Sequence, residues 1–267
     1  MSAFTGTADY YRQYRPGIPS EVVAMLNHAA PTGSPRRLLD IGTGPGLVPE
    51  ALLERFDDII ALDSDRDMIS AAEAALRPRL PYGSRLRLVQ GRAEEFAPPL
   101  GWRPHLVTCC RAFHWLDQQA LLCRLDEYVA PGGVLAVFSD RSLWTADNDW
   151  QRAVRSVVQD FLGEQRRAGT GAFGPVGPPY RQVLRNSAFS DVTETVIPVR
   201  RTWNAEEVVG YLYSTSFAAP HLFMERRDGF ESAVKAVLAE SATGGVLTED
   251  NAFTMLTARR PSSREGR

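Results

Sequence analysis

The chain has 267 residues, of which 44% are hydrophobic and 23% charged, and its formal net charge at pH 7 is −2. This length is typical of one large domain, or of one domain with an appended lobe, that buries a sizeable core. The nearly neutral charge excludes a strongly basic nucleic-acid-binding protein, so we expect no nucleic-acid partner. No apolar run reaches the roughly 20 residues of a membrane helix, and the N-terminus lacks an apolar signal core. We therefore expect a cytoplasmic protein without a membrane partner.

The cysteines are few and irregularly placed. They are Cys109, Cys110 and Cys123. Their spacing suits neither a zinc site nor a disulfide framework, so we expect reduced thiols and no bound metal.

The first half of the chain alternates short apolar runs with amphipathic segments. The apolar runs predict the strands Arg37–Ile41, Ile59–Leu62, Leu86–Val89, His105–Cys110 and Val134–Phe138. Apolar residues at helical spacing predict helices at Leu47–Phe56, Met68–Leu76 and Leu121–Val129. This alternation predicts parallel strands joined by right-handed crossovers, and hence a doubly wound α/β sheet.

The pattern changes after residue 140. The later predicted elements are a helix at Ala146–Arg167, a Gly/Pro-rich mobile loop at Gly169–Pro179, a strand at Val192–Trp203, helices near Ala205–Phe217 and Gly229–Glu240, and a last strand at Asn251–Arg259. We divide the chain into a covering segment (1–30), a core (31–143, 185–204 and 250–261), a helical lid that selects the substrate (144–184 and 205–249) and a disordered tail (262–267).

A glycine-rich turn follows the first predicted strand, in the run DIGTGPG at residues 40–46. Glycine permits left-handed backbone and lets a ligand approach the bare peptide. In a parallel sheet, ligands bind outside the carboxyl ends of the strands. Asp63 closes the second predicted strand, where a carboxylate can accept both hydroxyls of a ribose. The two features together predict a nucleoside site.

The residues around the turn favour one kind of nucleoside. A dinucleotide fingerprint requires Gly or Ala at its third conserved position, which is Leu47 here. Asp40, just before the turn, would repel a pyrophosphate and attract an ammonium or sulfonium cation. The sequence therefore favours a cationic amino-acid nucleoside.

The segments LLDIGTGPG and ALDSDRDM resemble those of the class I S-adenosylmethionine-dependent methyltransferases. The resemblance extends from about Tyr10 to Phe138 and returns at the last strand. It implies a Rossmann-like, doubly wound sheet of seven mostly parallel strands, with an antiparallel last strand and a helical lid. It also implies S-adenosyl-L-methionine as the methyl donor and S-adenosyl-L-homocysteine as the product.

The same resemblance implies a set of cofactor-binding residues. They are Tyr14, Arg15, Asp40, Gly42, Gly44, Gly46, Asp63, Ser64, Met68, Ala93, Glu94 and Arg111. The glycines would line the methionine part, Asp40 would neutralise its amino group and Asp63 would hold the ribose. Ser64 borders the adenine, and Met68 either does so or only packs its helix. The run GRAE at residues 91–94 would touch the adenine edge, although many relatives carry Asp in place of its Arg.

Two further segments belong to the resemblance. The run YYRQYRP at residues 10–16 resembles a leading segment that folds over the cofactor, and Arg15 would meet the methionine carboxylate in it. The run RAFHWLD at residues 111–117 is similar to the "FHW" segment of a type 11-like subgroup of small-molecule methyltransferases, which includes carboxyl methyltransferases. His114 is a candidate base or substrate contact, or a structural histidine, and Trp115 is a candidate substrate contact.

We therefore expect methyl transfer to an O, N or carboxylate group of a small molecule, for instance a secondary metabolite. A homodimer is a candidate assembly. Two alternatives stay open: an NAD-dependent oxidoreductase on the same sheet, which Leu47 and Asp40 disfavour, and a non-catalytic nucleoside-binding protein.

Overall fold

The structure is a computed structural model that describes residues 3–174 and 177–261. The tail that we expect to be disordered, 262–267, lies outside the described residues, as do positions 175 and 176 of the predicted mobile loop. The helices are α1 (Ala8–Tyr14), α2 (Ser20–Ala29), α3 (Leu47–Leu52), α4 (Arg66–Leu76), α5 (Gln118–Tyr128), α6 (Asp149–Leu162), α7 (Tyr180–Arg185), α8 (Ala205–Tyr213) and α9 (Arg227–Ser241). The strands are β1 (Arg37–Ile41), β2 (Asp58–Asp63), β3 (Arg85–Gln90), β4 (Leu106–Cys110), β5 (Val134–Asp140), β6 (Arg167–Ala168), β7 (Gly171–Ala172), β8 (Asp191–Trp203) and β9 (Leu247–Arg259).

The chain forms two compact units. The first, which we call the helical unit, comprises Met1–Pro16, Asp140–Val176 and Pro198–Phe253. The second, the sheet unit, comprises Gly17–Ser139, Gly177–Ile197 and Thr254–Arg267. In the described part of the chain, no helix is both long and apolar enough to cross a bilayer.

Seven strands form one sheet in the order β3-β2-β1-β4-β5-β9-β8. The pairs β1–β2, β1–β4, β2–β3 and β4–β5 are parallel, and β9 and β8 form an antiparallel edge. The prediction of a doubly wound, seven-stranded, mostly parallel sheet is thereby confirmed.

Each unit has its own hydrophobic core. In the sheet unit, Leu39, Val107 and Leu135 of neighbouring strands are fully buried, as expected for strands that helices cover on both faces. In the helical unit, Val154 of α6 packs in a cluster with the rings of Phe223 and Phe230, which stack 3.9 Å apart. Amphipathic patterns therefore predict these helices because one face of each contributes to a core.

Several element boundaries differ from the prediction. The helix expected at Ala146–Arg167 covers only Asp149–Leu162, because Gly163 adopts a φ of 91° that ends it. The Gly/Pro-rich loop begins within a short hairpin of β6 and β7, whose turn contains Gly169 at a φ of 63°. The helix predicted to reach Phe56 ends at Leu52. Helical spacing predicts the face that an element buries better than the residue at which it ends.

Candidate cofactor and active site

The strand order of the sheet unit creates a crevice at the carboxyl end of β1. β1 lies between β2 and β4, and the chain continues from β2 to β3 on one side and from β4 to β5 on the other. At such a reversal of strand order the loops leaving the two central strands separate, and ligands bind between them. Here these loops are the glycine loop, residues 42–46, and the segment 111–115 after β4.

The glycine loop has a backbone that other residues disfavour. Gly42, Gly44 and Gly46 have φ angles of 65°, 54° and 89°, which lie in the left-handed region. A Cβ on Gly42 would collide with the methyl group of Ala112, and one on Gly46 would lie 2.9 Å from Leu76 Cδ1. A Cβ on Gly44 would meet nothing within 4 Å. Packing therefore requires the outer two glycines, and Gly44 presents its backbone to open space that a ligand can enter.

Asp40, the penultimate residue of β1, is a buried carboxylate with one unsatisfied oxygen. Only 1% of the residue is exposed. Its Oδ1 accepts a hydrogen bond of 2.6 Å from Thr108 Oγ1 on β4, whereas its buried Oδ2 has no hydrogen-bond partner among the described residues. Burial raises the pKa of Asp40 to about 7, although the hydroxyl groups of Thr108 and Thr43 act in the opposite direction. A cationic donor beside Oδ2 would satisfy this oxygen and stabilise the ionised carboxylate.

The carboxylate of Asp63, at the end of β2, is fixed by backbone hydrogen bonds. Its Oδ2 accepts from the Gly44 amide at 2.8 Å, and its Oδ1 accepts from the Asp65 amide at 2.9 Å. Burial raises the pKa of Asp63, while these two hydrogen bonds lower it. Each oxygen retains a second lone pair that can accept from a hydroxyl. The bond to Gly44, which sequence analysis did not anticipate, joins the carboxylate to the glycine loop; the ribose contact stays a prediction.

The residues expected at the adenine differ in exposure. Ser64 is exposed, whereas Met68 and Ala93 are buried, so packing accounts for much of what Met68 does. Glu94 Oε1 accepts a hydrogen bond of 2.8 Å from the amide of Asp117, the residue that caps α5. Glu94 therefore already has a structural role, and the adenine contacts of all four residues stay predictions.

The segment after β4 brings the candidate substrate residues next to the glycine loop. Arg111 has a φ of 57°, a conformation that costs a non-glycine residue energy and is enriched at functional sites. Ala112 then lies against Gly42. A 3₁₀ turn over Phe113–Trp115 follows; His114 is exposed, and the ring centroids of His114 and Trp115 lie 4.8 Å apart. The sheet unit thus brings together the two loops that the sequence predicted.

The two expected cofactor residues of the N-terminal segment lie in the helical unit. Tyr14 packs so closely on Gly210 that a Cβ there would collide with the ring. Arg15 Nε donates to Ser214 Oγ at 2.8 Å, and its guanidinium lies over the ring of Tyr211, 4.6 Å from the centroid. Ser214 and Tyr211 carry no charge, so these contacts leave the positive charge of Arg15 available for a ligand carboxylate. Its contact with the cofactor stays a prediction.

Two site residues escaped the sequence analysis. Thr108 holds Asp40, and the buried Thr43 Oγ1 in the glycine loop has no hydrogen-bond partner among the described residues. Asp40 and Thr108 are paired in the register of β1 and β4. The sequence indicates only that Asp40 and Thr108 each lie near the end of a predicted strand. The strand order is needed to show that the two residues are neighbours.

Comparison with known proteins agrees with this geometry. A family model described as "Methyltransferase domain" matches residues 38–133. The chain is 35% identical, over 219 residues, to a trans-aconitate 2-methyltransferase of Methylobacterium radiotolerans, covering 79% of this chain and 80% of the relative. It is also 35% identical over 126 residues to a trans-aconitate 2-methyltransferase of Acidovorax sp. strain JS42, but that match spans 46% of this chain and 43% of the relative.

The fold also matches solved structures. A candidate type II methyltransferase from Anaeromyxobacter dehalogenans superposes with a TM-score of 0.62 at 19% identity, covering 92% of this chain and 98% of that one. At this level of identity the similarity establishes the fold alone.

Proposed function

Because this chain belongs to the class I S-adenosylmethionine-dependent methyltransferases, we propose that it methylates a carboxylate oxygen of a small organic acid. Membership makes it a methyltransferase with S-adenosylmethionine as its cofactor and leaves the nicotinamide alternative without support. The proposal adds the class of acceptor. It rests on relatives named for the methylation of trans-aconitate and on the exposed His114–Trp115 pair beside the glycine loop.

The observation that carries the cofactor assignment is the unsatisfied Oδ2 of Asp40. A buried acceptor without a donor is costly, and the amino group of the methionine part provides a charged donor. The open side of Gly44 would receive the methionine chain, and Asp63 would accept from the ribose. When bound, S-adenosylmethionine supplies an electrophilic methyl group on a sulfonium.

If the acceptor is a carboxylate, the residues after β4 would hold it in position and would not need to deprotonate it. A carboxylic acid is already ionised near neutral pH, so its oxygen needs no base before it attacks the methyl group. The ring N–H of His114 and the indole N–H of Trp115 are donors suited to holding such an acceptor. The protein would then act chiefly by orienting acceptor and donor and by excluding water from the crevice.

A hydroxyl or amine acceptor is the second candidate, because His114 is exposed and can accept a proton. The two candidates differ in their pH dependence. If His114 acts as a base, kcat of the wild type should rise with pH near the pKa of histidine, and His114→Gln should abolish this rise. If His114 only positions the acid, His114→Gln should raise the KM of the acid several-fold and leave the shape of the pH profile of kcat unchanged.

The test measures S-adenosylhomocysteine release with panels of small carboxylic acids, alcohols and amines. We expect turnover with di- or tricarboxylic acids and an ester product detected by mass spectrometry. In parallel, Asp63→Asn should weaken S-adenosylhomocysteine binding at least tenfold by calorimetry, whereas the neighbouring Asp67→Asn should not. Donor binding without transfer to any panel member would favour the non-catalytic alternative, and unchanged affinity of Asp63→Asn would refute the ribose contact.

A further inference from the structure

A groove opens in the sheet unit at the end of the strands remote from the glycine loop. It has a volume of about 590 Å³ and is lined by the first residues of β1, β2 and β3 together with loop residues 99–102. Asp58 in the groove and Asp63 are the first and last residues of β2, about 17 Å apart at the usual rise of a strand. The groove is therefore separate from the candidate cofactor site.

Strand register places basic residues side by side in this groove. Arg37, Asp58 and Arg85 are paired across β1, β2 and β3, and paired residues of neighbouring strands project from the same face. Arg87 follows Arg85 by two positions and shares that face. These four residues line the groove, as does Arg77 directly after α4. Four arginines against one aspartate leave the lining with a formal charge of +3.

Neighbouring acidic groups neutralise only part of this charge. Asp58 Oδ2 accepts from Arg85 at 2.9 Å and from Trp102 Nε1 at 3.0 Å, so the charge of this carboxylate is paired with Arg85. Arg77 is paired with Glu73 of α4 at 2.6 Å.

The remaining two arginines of the groove, Arg37 and Arg87, are the ones with which a ligand could form an ion pair. Arg37 Nε is buried and has no hydrogen-bond partner within the described part of the chain. Arg87 is exposed, and its side chain makes no ion pair with the residues that the structure describes. An anion in the groove would pair with the charge of these two guanidinium groups.

Protection of the sheet edge explains only some of these residues. β3 is an edge strand, and charged side chains such as Arg85 and Arg87 keep an edge from pairing with another chain. Arg37, however, lies on β1, two strands inside the edge. Its contribution to the groove therefore has no role in edge protection.

We propose that this groove binds a small polyanion carrying two or more phosphate or carboxylate groups. Arg37 and Arg87 supply the free charge, and Asp58 and Ile60 of the intervening strand β2 line the groove between them. The groove is large enough for a compact metabolite. Leu100, a fully exposed apolar residue on its lining, provides contact area beside the charges.

The test is calorimetric titration of the full chain, saturated with S-adenosylhomocysteine, with pyrophosphate, inorganic phosphate and citrate in turn. Saturation keeps the probes out of the cofactor site. We expect pyrophosphate or citrate to bind more tightly than phosphate, with an affinity that falls as salt is added. Arg37→Gln and Arg87→Gln should each weaken this binding about tenfold, whereas Arg185→Gln, an exposed arginine of α7 outside the groove, should leave it unchanged.

The probes distinguish the two sources of charge. If the groove variants weaken the binding of pyrophosphate and only pyrophosphate binds, the groove is a phosphate site. If they weaken the binding of citrate and only citrate binds, it is a polycarboxylate site. If Arg37→Gln does not fold, the test is whether Arg87→Gln, a change on the exposed edge strand, weakens the binding of the probes. Failure of every probe to bind, or binding that neither groove variant weakens, would overturn the proposal.

Discussion

Replacing Asp40 by asparagine tests whether its burial destabilises the fold at neutral pH. A carboxyl group with a pKa of about 7 in the folded state and 3.8 in the unfolded chain binds its proton more tightly when folded. The free energy of unfolding of the wild type should therefore fall as the pH rises from about 4 to about 7, and this contribution should be constant above. Between pH 5 and pH 8 the loss is about 2.6 kcal/mol.

The variant Asp40→Asn lacks this titration. Its amide adds a donor where Oδ2 lacks a partner, but that effect does not depend on pH and cancels when two pH values are compared. We expect the free energy of unfolding of the variant, relative to wild type, to increase by about 2–3 kcal/mol from pH 5 to pH 8 in urea titrations.

The control for this comparison is Asp149→Asn, because the side chain of Asp149 is 91% exposed. Its difference from wild type should stay constant over the same pH range. Parallel stability curves for wild type and Asp40→Asn would show that Asp40 titrates as an ordinary aspartate and that burial does not raise its pKa.

Packing around the glycine loop and in the helical unit gives two further predictions. Gly42→Ala should destabilise the fold by about 2–4 kcal/mol, because residue 42 has a left-handed φ and the added methyl group would collide with Ala112. Gly44→Ala, whose methyl group would meet no neighbour, should cost only about 1 kcal/mol. Equal losses of the two variants in urea titrations would contradict the packing role of Gly42. Glu249→Gln should cost about 2–4 kcal/mol, because each carboxylate oxygen accepts from two N–H donors and an amide group would face donors in either orientation. The exposed neighbour provides its control: Asp250→Asn should be nearly neutral in thermal unfolding.

The sequence predicted the parts of the site that depend on one strand and the turn after it. The apolar run of β1 and the glycines that follow identify the loop without any knowledge of other strands. Asp63 could be placed in the same way, because a carboxylate at a strand end projects into the crevice of any parallel sheet. What these predictions share is a local cause, such as a backbone angle or the end of an apolar run.

The rest depends on residues that are distant in the sequence. Thr108 becomes the partner of Asp40 only through the register of β1 and β4. Tyr14 packs on Gly210, which lies 196 positions later in the chain. Composition and spacing carry no information about such pairs, since many registers and packings bury the same apolar faces.

If the cofactor's amino group binds beside Oδ2, as we propose, Asp40 links the binding of the cofactor to pH. A cationic amino group beside Oδ2 requires the ionised carboxylate, but below the pKa of about 7 most of the unliganded protein carries a proton on Asp40. Binding must then release that proton, so the affinity for S-adenosylhomocysteine should increase about tenfold from pH 5 to pH 6, about fivefold from pH 6 to pH 7, and level off above. The ligand's amino group is protonated throughout this range and adds no slope.

Calorimetry in buffers of different ionisation enthalpy measures both the slope and the number of protons released. We expect release of nearly one proton at pH 5.5 and much less at pH 8. Asp40→Asn should bind weakly with no such slope, which separates the role of Asp40 from that of Asp63, whose carboxylate accepts from two backbone amides. An affinity that is the same at pH 5 and pH 7 in the wild type would mean that the amino group lies elsewhere in the crevice.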